Sequence, residues 1–330
     1  MALPTPINLV TLRSQTSSYL MISRRNIRVK VMQLLYMTAS ASSPSLFKSP
    51  VSQLRKHLDQ TSELFVYLVY FLTEVARFAE TSSRMRASKN LPSQEDLNVN
   101  TKIAGNDLLW QILESASFQK AVEDGKLASK IDKELVRKIY QALTDTEKYQ
   151  EYIQAQSRDK AKEKEIMKLI FTQLMLPNED FINHVEELYS NWDDDAEMMD
   201  QLVLNYLQKP TSFDLHELVG QEKWDFAQNL LTTAIDKEDY TMELIKPKLK
   251  NWDSERIALL DMILMRLGVC ELLYFETIPT KVTINEYIDL AKEYSTPQSG
   301  QFVNGILDNI HKELLANGDI HKVQFKNKNA

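Results

Sequence analysis

Three arginines within five positions are the residues of this chain best suited to binding chemistry. Arg24, Arg25 and Arg28 lie in "ISRRNIRVKVMQLLYM", residues 22–37, just ahead of an apolar run. Residues four apart share one face of a helix, so Arg24 and Arg28 would project together. Guanidinium groups bind phosphate through several hydrogen bonds at once. The pattern predicts either a phosphate-binding cluster or an exposed basic turn at the start of a helix whose body is buried.

The other reactive residue types are not arranged as a recognisable site. The acidic run "NWDDDAEMMD", residues 191–200, lacks the glycine of a calcium loop and instead fits a solvated helix start, where acids complement the helix dipole. Cys270 lies in the apolar "LGVCELLY", which predicts a small buried core residue. The five histidines are scattered along the chain, and no glycine-rich phosphate loop is present. We therefore expect no catalytic residue, no metal ligand and no cofactor.

Composition predicts an all-α protein. The 330 residues include only seven glycines and ten prolines, and the runs between them are rich in helix-forming residues. The longest apolar run, "LFVYLVYFL" at residues 64–72, is too short to span a membrane and predicts a buried helix. One cysteine excludes an intramolecular disulfide framework and fits a reducing, cytoplasmic location.

Charge is distributed unevenly along the chain. The net charge is −7, yet the first 58 residues hold eight basic residues and no acidic one. The whole acidic excess therefore lies downstream. A positive field concentrated at one end favours an anionic partner such as nucleic acid.

The last helix has clear start signals. Thr296 can cap it, and Pro297 can occupy its first turn, where a missing N–H costs nothing. A series at i+4 spacing then predicts its buried stripe: Phe302, Ile306, Ile310 and Leu314. Gly300 and Gly305 fall inside this helix, and since glycine destabilises a helix interior, each predicts the close approach of a backbone or a ligand.

Two segments resemble the NusB family of transcription antitermination factors. The first is "RRNIRVKVMQLLY" and the second, far downstream, is "RLGVCELLYFETIPTKVTINEYIDLAKEYSTPQSGQFVNGILDNI". The resemblance covers roughly residues 21 to 37 and 224 to 330. It implies an all-helical, non-enzymatic protein that binds the boxA element of ribosomal RNA leader transcripts, as single-stranded RNA, together with the small-subunit ribosomal protein NusE. It also implies a partner in the RNA polymerase antitermination complex, and no membrane.

The resemblance also implies which residues face the RNA, namely those of the basic first helix and of the turn leading into F-V-N-G. They are Arg24, Arg25, Arg28, Gln298, Ser299, Gln301, Phe302 and Asn304. Aromatic stacking, phosphate contacts and amide hydrogen bonds are the means by which single-stranded RNA is bound. Phe302 has two readings, because its i+4 series equally predicts a core residue.

The resemblance divides the chain into four parts. Residues 1–20 match nothing and are expected to be a disordered extension, with Met21 as the true start. Residues 21–45 are the first helix of a NusB-like helical bundle, 46–210 an inserted helical region, and 211–330 the remainder of the RNA-binding domain. The role of the insert is not readable from sequence.

Two other functions compete with antitermination. The chain could be a protein-interaction scaffold in ribosomal RNA transcription or ribosome assembly, with weak RNA binding and docking through the insert. It could also be the RNA-targeting partner of a ribosomal RNA methyltransferase, because a NusB-like module precedes the catalytic domain in certain enzymes of that class. No catalytic motif of such an enzyme is present in the sequence.

Overall fold

A computed structural model describes residues 22–41, 49–215, 218–249 and 257–323. These residues form fifteen α-helices and no β-strand, which confirms the all-α prediction. The helices are α1 (Arg24–Ser40), α2 (Pro50–Ala87), α3 (Gln94–Leu97), α4 (Asp107–Leu113), α5 (Ala116–Asp124), α6 (Lys133–Thr144), α7 (Glu147–Gln154), α8 (Lys160–Leu169), α9 (Glu179–Leu188), α10 (Trp192–Tyr206), α11 (Gln221–Asp236), α12 (Glu238–Ile245), α13 (Leu259–Tyr274), α14 (Thr280–Tyr294) and α15 (Ser299–Asn317).

The helices form two compact units. Unit 1 comprises Met1–Ile22 and Asp59–Gly220, and unit 2 comprises Ser23–Leu58 and Gln221–Ala330. Unit 2 is thus built from both ends of the chain, and the boundary between the units falls inside α2. The predicted domain limits at 45 and 210 remain a prediction, and the expected extension 1–20 and start at Met21 lie outside the described residues.

The apolar run of residues 64–72 lies in the middle of α2, which confirms the predicted helix. All but one of its nine residues are buried. Within unit 1, Phe71 packs against Phe181 of α9, with ring centroids 4.8 Å apart and ring planes tilted by 58°. Phe65 contacts Tyr206 of α10 edge-on, with centroids 5.6 Å apart. Aromatic pairs of this geometry add about 0.5–1.5 kcal/mol each beyond the area they bury.

No helix among the described residues is long and apolar enough to cross a membrane.

The acidic run at residues 191–200 begins α10, as predicted, with three aspartates in the first turn. One part of the expectation is wrong, because Asp195 is fully buried. Its carboxylate accepts hydrogen bonds from Thr61 Oγ1 at 2.8 Å and Asn191 Nδ2 at 2.6 Å. A buried carboxylate needs such donors to offset its lost hydration. Asp195 therefore joins α10 to α2 within unit 1.

Helix α1 is inserted in the core of unit 2, where it packs against α11 and α13. The hydroxyl of Ser23 caps α1 by accepting from the Asn26 amide at 3.2 Å. Residues Ile27 to Leu35 are all buried except Gln33, which is half-buried. They are apolar apart from Arg28, Lys30 and Gln33. Cys270 lies in α13 and is fully buried, which confirms it as a core residue, and burial raises the pKa of its thiol to about 12.

Arg28 is also in this core, only 2% exposed. Its guanidinium donates two parallel hydrogen bonds to Glu271 of α13, from Nε and from Nη2, both at 2.8 Å. A third donor, Nη1, lies 3.2 Å from Glu286 of α14. Burial alone would lower the pKa of Arg28, but the hydrogen bond and charges of Glu271, with Tyr287 and Glu286, leave that pKa above its ordinary value.

Glu271 is the acceptor at the centre of this network, with no exposed surface. Besides Arg28, its carboxylate accepts from Thr283 Oγ1 at 2.8 Å and from the Tyr287 hydroxyl at 3.2 Å. Both oxygens are therefore satisfied by groups from α1 and α14. Burial and the negative charge of Glu271 raise the pKa of Tyr287 well above its usual value, so its hydroxyl stays a donor.

Replacing Arg28 by Ala should destabilise unit 2 by about 3–5 kcal/mol, because the buried Glu271 carboxylate loses its counter-charge. Amide hydrogen exchange of α13 and α14 measures this effect within unit 2. The matched control is Arg25→Ala, since Arg25 is 36% exposed and its ion pair should contribute no more than about 1 kcal/mol. The double variant Arg28→Met, Glu271→Leu should recover much of the loss. Equal effects of the two single variants would contradict a structural role for Arg28.

Cys270 should not react with Ellman's reagent at pH 8 in the folded protein, because its thiol is buried and fully protonated far below a pKa of about 12. In about 6 M guanidinium chloride the thiol regains an ordinary pKa near 8.5 and one thiol per chain should react. The absorbance of the released thiolate gives both values. Rapid labelling of the native protein would contradict the buried position.

Candidate nucleic-acid interface

The eight predicted RNA-binding residues all lie in unit 2, but at different depths. Gln298, Gln301 and Asn304 are exposed, and Arg24, Arg25 and Phe302 are partly exposed. Arg28 and Ser299 are buried, at 2% and 4% exposure. The structure therefore offers six of the eight side chains to a ligand and places the other two inside the bundle.

Arg24 lies at the first position of α1 and reaches α11. Its Nη2 is 2.7 Å from a carboxylate oxygen of Glu222, which is 71% exposed. The guanidinium carbon also lies 5.5 Å from the ring centroid of Phe226, a cation–π distance. Arg24 is thus oriented by an aromatic ring while its ion-pair partner stays in contact with water.

Arg25 joins the tip of α1 to the end of α14. Its Nη2 is 2.5 Å from Glu293, which is 52% exposed, and its Nη1 is 3.9 Å from Glu286. Glu293 is only five residues before Gln298, the residue that immediately precedes α15. The ion pair therefore brings the basic helix tip next to the F-V-N-G segment, although the two are more than 260 residues apart in sequence.

The turn between α14 and α15 is held by a cluster of hydroxyl groups. Thr296 Oγ1 accepts from the Ser299 amide at 3.2 Å. The predicted helix cap at Thr296 and first-turn position of Pro297 are wrong, because α15 begins at Ser299 with Gln298 in the N-cap position, and the Thr296 hydroxyl instead stabilises the preceding turn. The Ser299 hydroxyl donates to the buried Asp261 at 2.8 Å and contacts Ser295 at 3.0 Å. The Ser299 hydroxyl thus stabilises the turn. Because Ser299 is buried, it is not accessible to RNA in this structure.

The two glycines of α15 differ. A β-carbon on Gly300 would lie 2.6 Å from Cγ of Lys292, so a close approach is present there as predicted. The approaching group is a lysine side chain of α14, whereas a backbone or a ligand was expected. Gly305 has nothing within 4 Å of the position of a β-carbon, so the predicted close approach within the chain is wrong there. Gly305 and Asn304 are exposed side by side, which leaves this part of α15 accessible.

Phe302 stands at the edge of the predicted buried stripe. Ile306, Ile310 and Leu314 are buried as expected, together with Val303 and Leu307, whereas Phe302 is partly exposed. Its ring therefore combines a packed side with an accessible one. This position is compatible with both of its predicted roles.

Sequence reasoning missed the acidic partners of the arginines: Glu222, Glu271, Glu286 and Glu293. A signal was present, because an acid-free first segment must find its counter-charges elsewhere in the chain. Glu286 and Glu293 are also seven residues apart in a helical pattern, and so share a face. The sequence alone does not show that this face meets α1.

The electrostatic arrangement separates two kinds of ion pair. The Arg28 pair with Glu271 is buried, and removing either partner would leave an uncompensated charge. The pairs of Arg24 and Arg25 join partly exposed arginines to exposed glutamates, and pairs of this kind contribute little to stability.

Within the described parts of the chain, no cluster of His, Cys, Asp and Glu side chains is placed to hold a metal ion.

Comparison with known proteins gives the same family by two routes. The family model described as the NusB family matches residues 183–312. Three relatives, each named transcription antitermination protein NusB, come from Salinibacter ruber (42% identical over 98 residues), Chloroherpeton thalassium (40% over 98) and Bacillus licheniformis (36% over 106). The matches cover 30%, 30% and 32% of this chain. No solved structure matches it.

Coverage of the relatives varies with their length. The chain spans 82% of the Bacillus protein, but only 61% of the Salinibacter and 46% of the Chloroherpeton protein, less than two thirds of each. The matched region lies mostly in the C-terminal part of unit 2, which contains the turn and α15. On this similarity, the chain belongs to the NusB family.

Proposed function

We propose that this protein is a transcription antitermination factor that acts by binding RNA. The observation that carries the proposal is the pairing of Arg25 with Glu293, which sets the basic tip of α1 beside the turn into α15. The family match at residues 183–312 includes this turn, and the relatives are named transcription antitermination proteins. Proteins of this family are non-catalytic, and we infer the same for this chain.

The proposed ligand is single-stranded RNA of the boxA type from ribosomal RNA leaders. Arg24 and Arg25 would exchange their exposed glutamates for phosphates, and the amides of Gln298, Gln301 and Asn304 would bond to base edges. Phe302 would offer the accessible side of its ring to a base. Arg28 and Ser299 would act indirectly, by holding α1 and the turn in place.

The proposed partners are the ribosomal protein NusE and the RNA polymerase antitermination complex. A second protein bound beside the RNA would explain how a face with two exchangeable arginines reaches useful affinity. In that case NusE and RNA each raise the affinity of the other by the same factor, because binding linkage is reciprocal.

A scaffold role for unit 1 is the second candidate, and its charge supports it. Residues 59–220 contain 29 acidic and 18 basic residues, an excess that repels RNA. Unit 1 would then contribute protein contacts while unit 2 binds RNA. Ultraviolet crosslinking of a boxA-containing RNA tests the division: we expect crosslinked peptides from unit 2, and crosslinks confined to unit 1 would reject the proposed face.

Removing Arg24 and Arg25 together should weaken RNA binding and its salt dependence. Each lost phosphate contact reduces the slope of log K against log salt by about 0.7 on single strands, so the double Ala variant should lose about 1.4. Fluorescence anisotropy with a boxA-containing RNA, over a range of salt concentrations and with or without NusE, measures this slope. An unchanged slope would reject the proposed contacts.

A matched control is the double variant Lys281→Ala, Lys312→Ala. It removes the same charge from exposed positions of unit 2. Lys281 is in the first turn of α14 and Lys312 lies 14 positions after Gln298, about 20 Å along α15 at 1.5 Å per residue. Both are at the ends of their helices remote from the turn, so the slope should stay close to that of the parent protein.

A further inference from the structure

A second group of cations lies beside an aromatic ring in unit 2, outside the residues discussed above. Arg55 and Lys56 are exposed in the second turn of α2, on the part of that helix that belongs to unit 2. The guanidinium carbon of Arg55 is 5.2 Å from the ring of Trp224, which is partly exposed in the first turn of α11. This is the distance of a cation–π contact.

The same turn of α11 also meets the candidate RNA face. Glu222, the ion-pair partner of Arg24, is two residues before Trp224. Two positions correspond to about 200° around a helix, so Arg24 and Arg55 approach the first turn of α11 from different sides. Lys223 lies between them, and burial together with the charge of Arg24 lowers its pKa. Three cationic side chains, those of Arg24, Arg55 and Lys223, thus lie around one turn of helix, and Lys56 follows Arg55 on the exposed part of α2.

The acids near this group are few and lie on two helices. Ser23–Leu58 contains no Asp or Glu, Asp59 of α2 follows four positions after Arg55 and shares its face of the helix, and α11 contributes Glu222 and Asp225 in its first turn. Glu222 is engaged by Arg24, and Asp225 accepts from Gln221 Nε2 at 2.7 Å. An aromatic ring with cations on its flanks has the chemistry of a platform for a nucleic-acid base, on which bases stack while their phosphates meet the cations.

We propose that Trp224, Arg55 and Lys56 form an additional contact for single-stranded RNA, which extends the path of the strand beyond Arg24. Trp224 stacks on one base, and Arg55 and Lys56 bind the adjoining phosphates. The inference rests on the proposed RNA-binding function, which it deepens by adding nucleotides to the bound segment. Arg55 stays beside the ring, and the base contacts the part of the indole that is exposed to solvent.

The test uses the full chain and two RNAs that share the same boxA core. One is about 10 nucleotides long and the other about 20, extended on both sides, since single-stranded sites on proteins span about 4–16 nucleotides. The variants are Arg55→Ala with Lys56→Ala, Trp224→Leu, and Trp224→Phe, which retains a ring. Circular dichroism melting shows that each variant is folded, and Lys281→Ala with Lys312→Ala again controls for net charge.

We expect the parent protein to bind the longer RNA more tightly than the shorter one. Trp224→Leu should weaken binding of the longer RNA about tenfold, the size of one lost base stack, and Trp224→Phe should restore most of it. The Arg55, Lys56 double variant should lower the salt slope on the longer RNA by about 1.4. On the shorter RNA all three variants should resemble the parent.

The outcomes separate this inference from the function on which it rests. If the Arg24, Arg25 double variant weakens binding but the Arg55, Lys56 and Trp224 variants do not, the added contact is rejected and the proposed function stands. If the parent protein binds neither RNA, the proposed function fails. Equal losses on both RNAs would also overturn the added contact, because the lost interactions would then be made with the shared boxA core.

Discussion

The buried pair of Arg28 and Glu271 is the interaction on which the rest of unit 2 depends. It joins α1, which comes from the beginning of the chain, to α13 and α14 from its end. A buried charge pair contributes little net stability compared with apolar residues of the same volume, but it is strongly destabilising when one member is lost. Its main effect is positional: α1 can enter the bundle only at the depth and rotation at which Arg28 meets Glu271.

That fixed position separates the structural role of Arg28 from the RNA contacts proposed for Arg24 and Arg25. Arg28 points inward, and Arg24 and Arg25, four and three residues earlier, are left at the surface at the tip of the helix. Their partners Glu222 and Glu293 hold them in place without burying them. A phosphate that replaces these carboxylates meets side chains that are already ordered, so less conformational entropy is lost on binding. The acidic residues around the face are therefore part of the proposed site and do not simply oppose it.

Local sequence patterns predicted the elements well and the long-range contacts poorly. The all-α class, the helix through residues 64–72 and the core position of Cys270 follow from composition, periodicity and nearest neighbours. The depth of Arg28 could not be predicted, because its spacing from Arg24 defines a shared face but not the surroundings of that face. Ser299 and Asp195 are similar: each is polar in sequence, and each is buried through a partner at least 38 residues away.

The placement of Arg28 also has a consequence for the order of events during synthesis. Its partner Glu271 follows 243 residues later. At about 5–20 residues per second, Arg28 is synthesised roughly 12 to 50 seconds before Glu271, the buried carboxylate with which it pairs. Residues 59–220 of unit 1 are all synthesised in that interval. Unit 1 can therefore fold before α1 has the helices of unit 2 to pack against. Unit 2 is completed late, when residues 221–330 pack against a helix that was synthesised before residues 59–220.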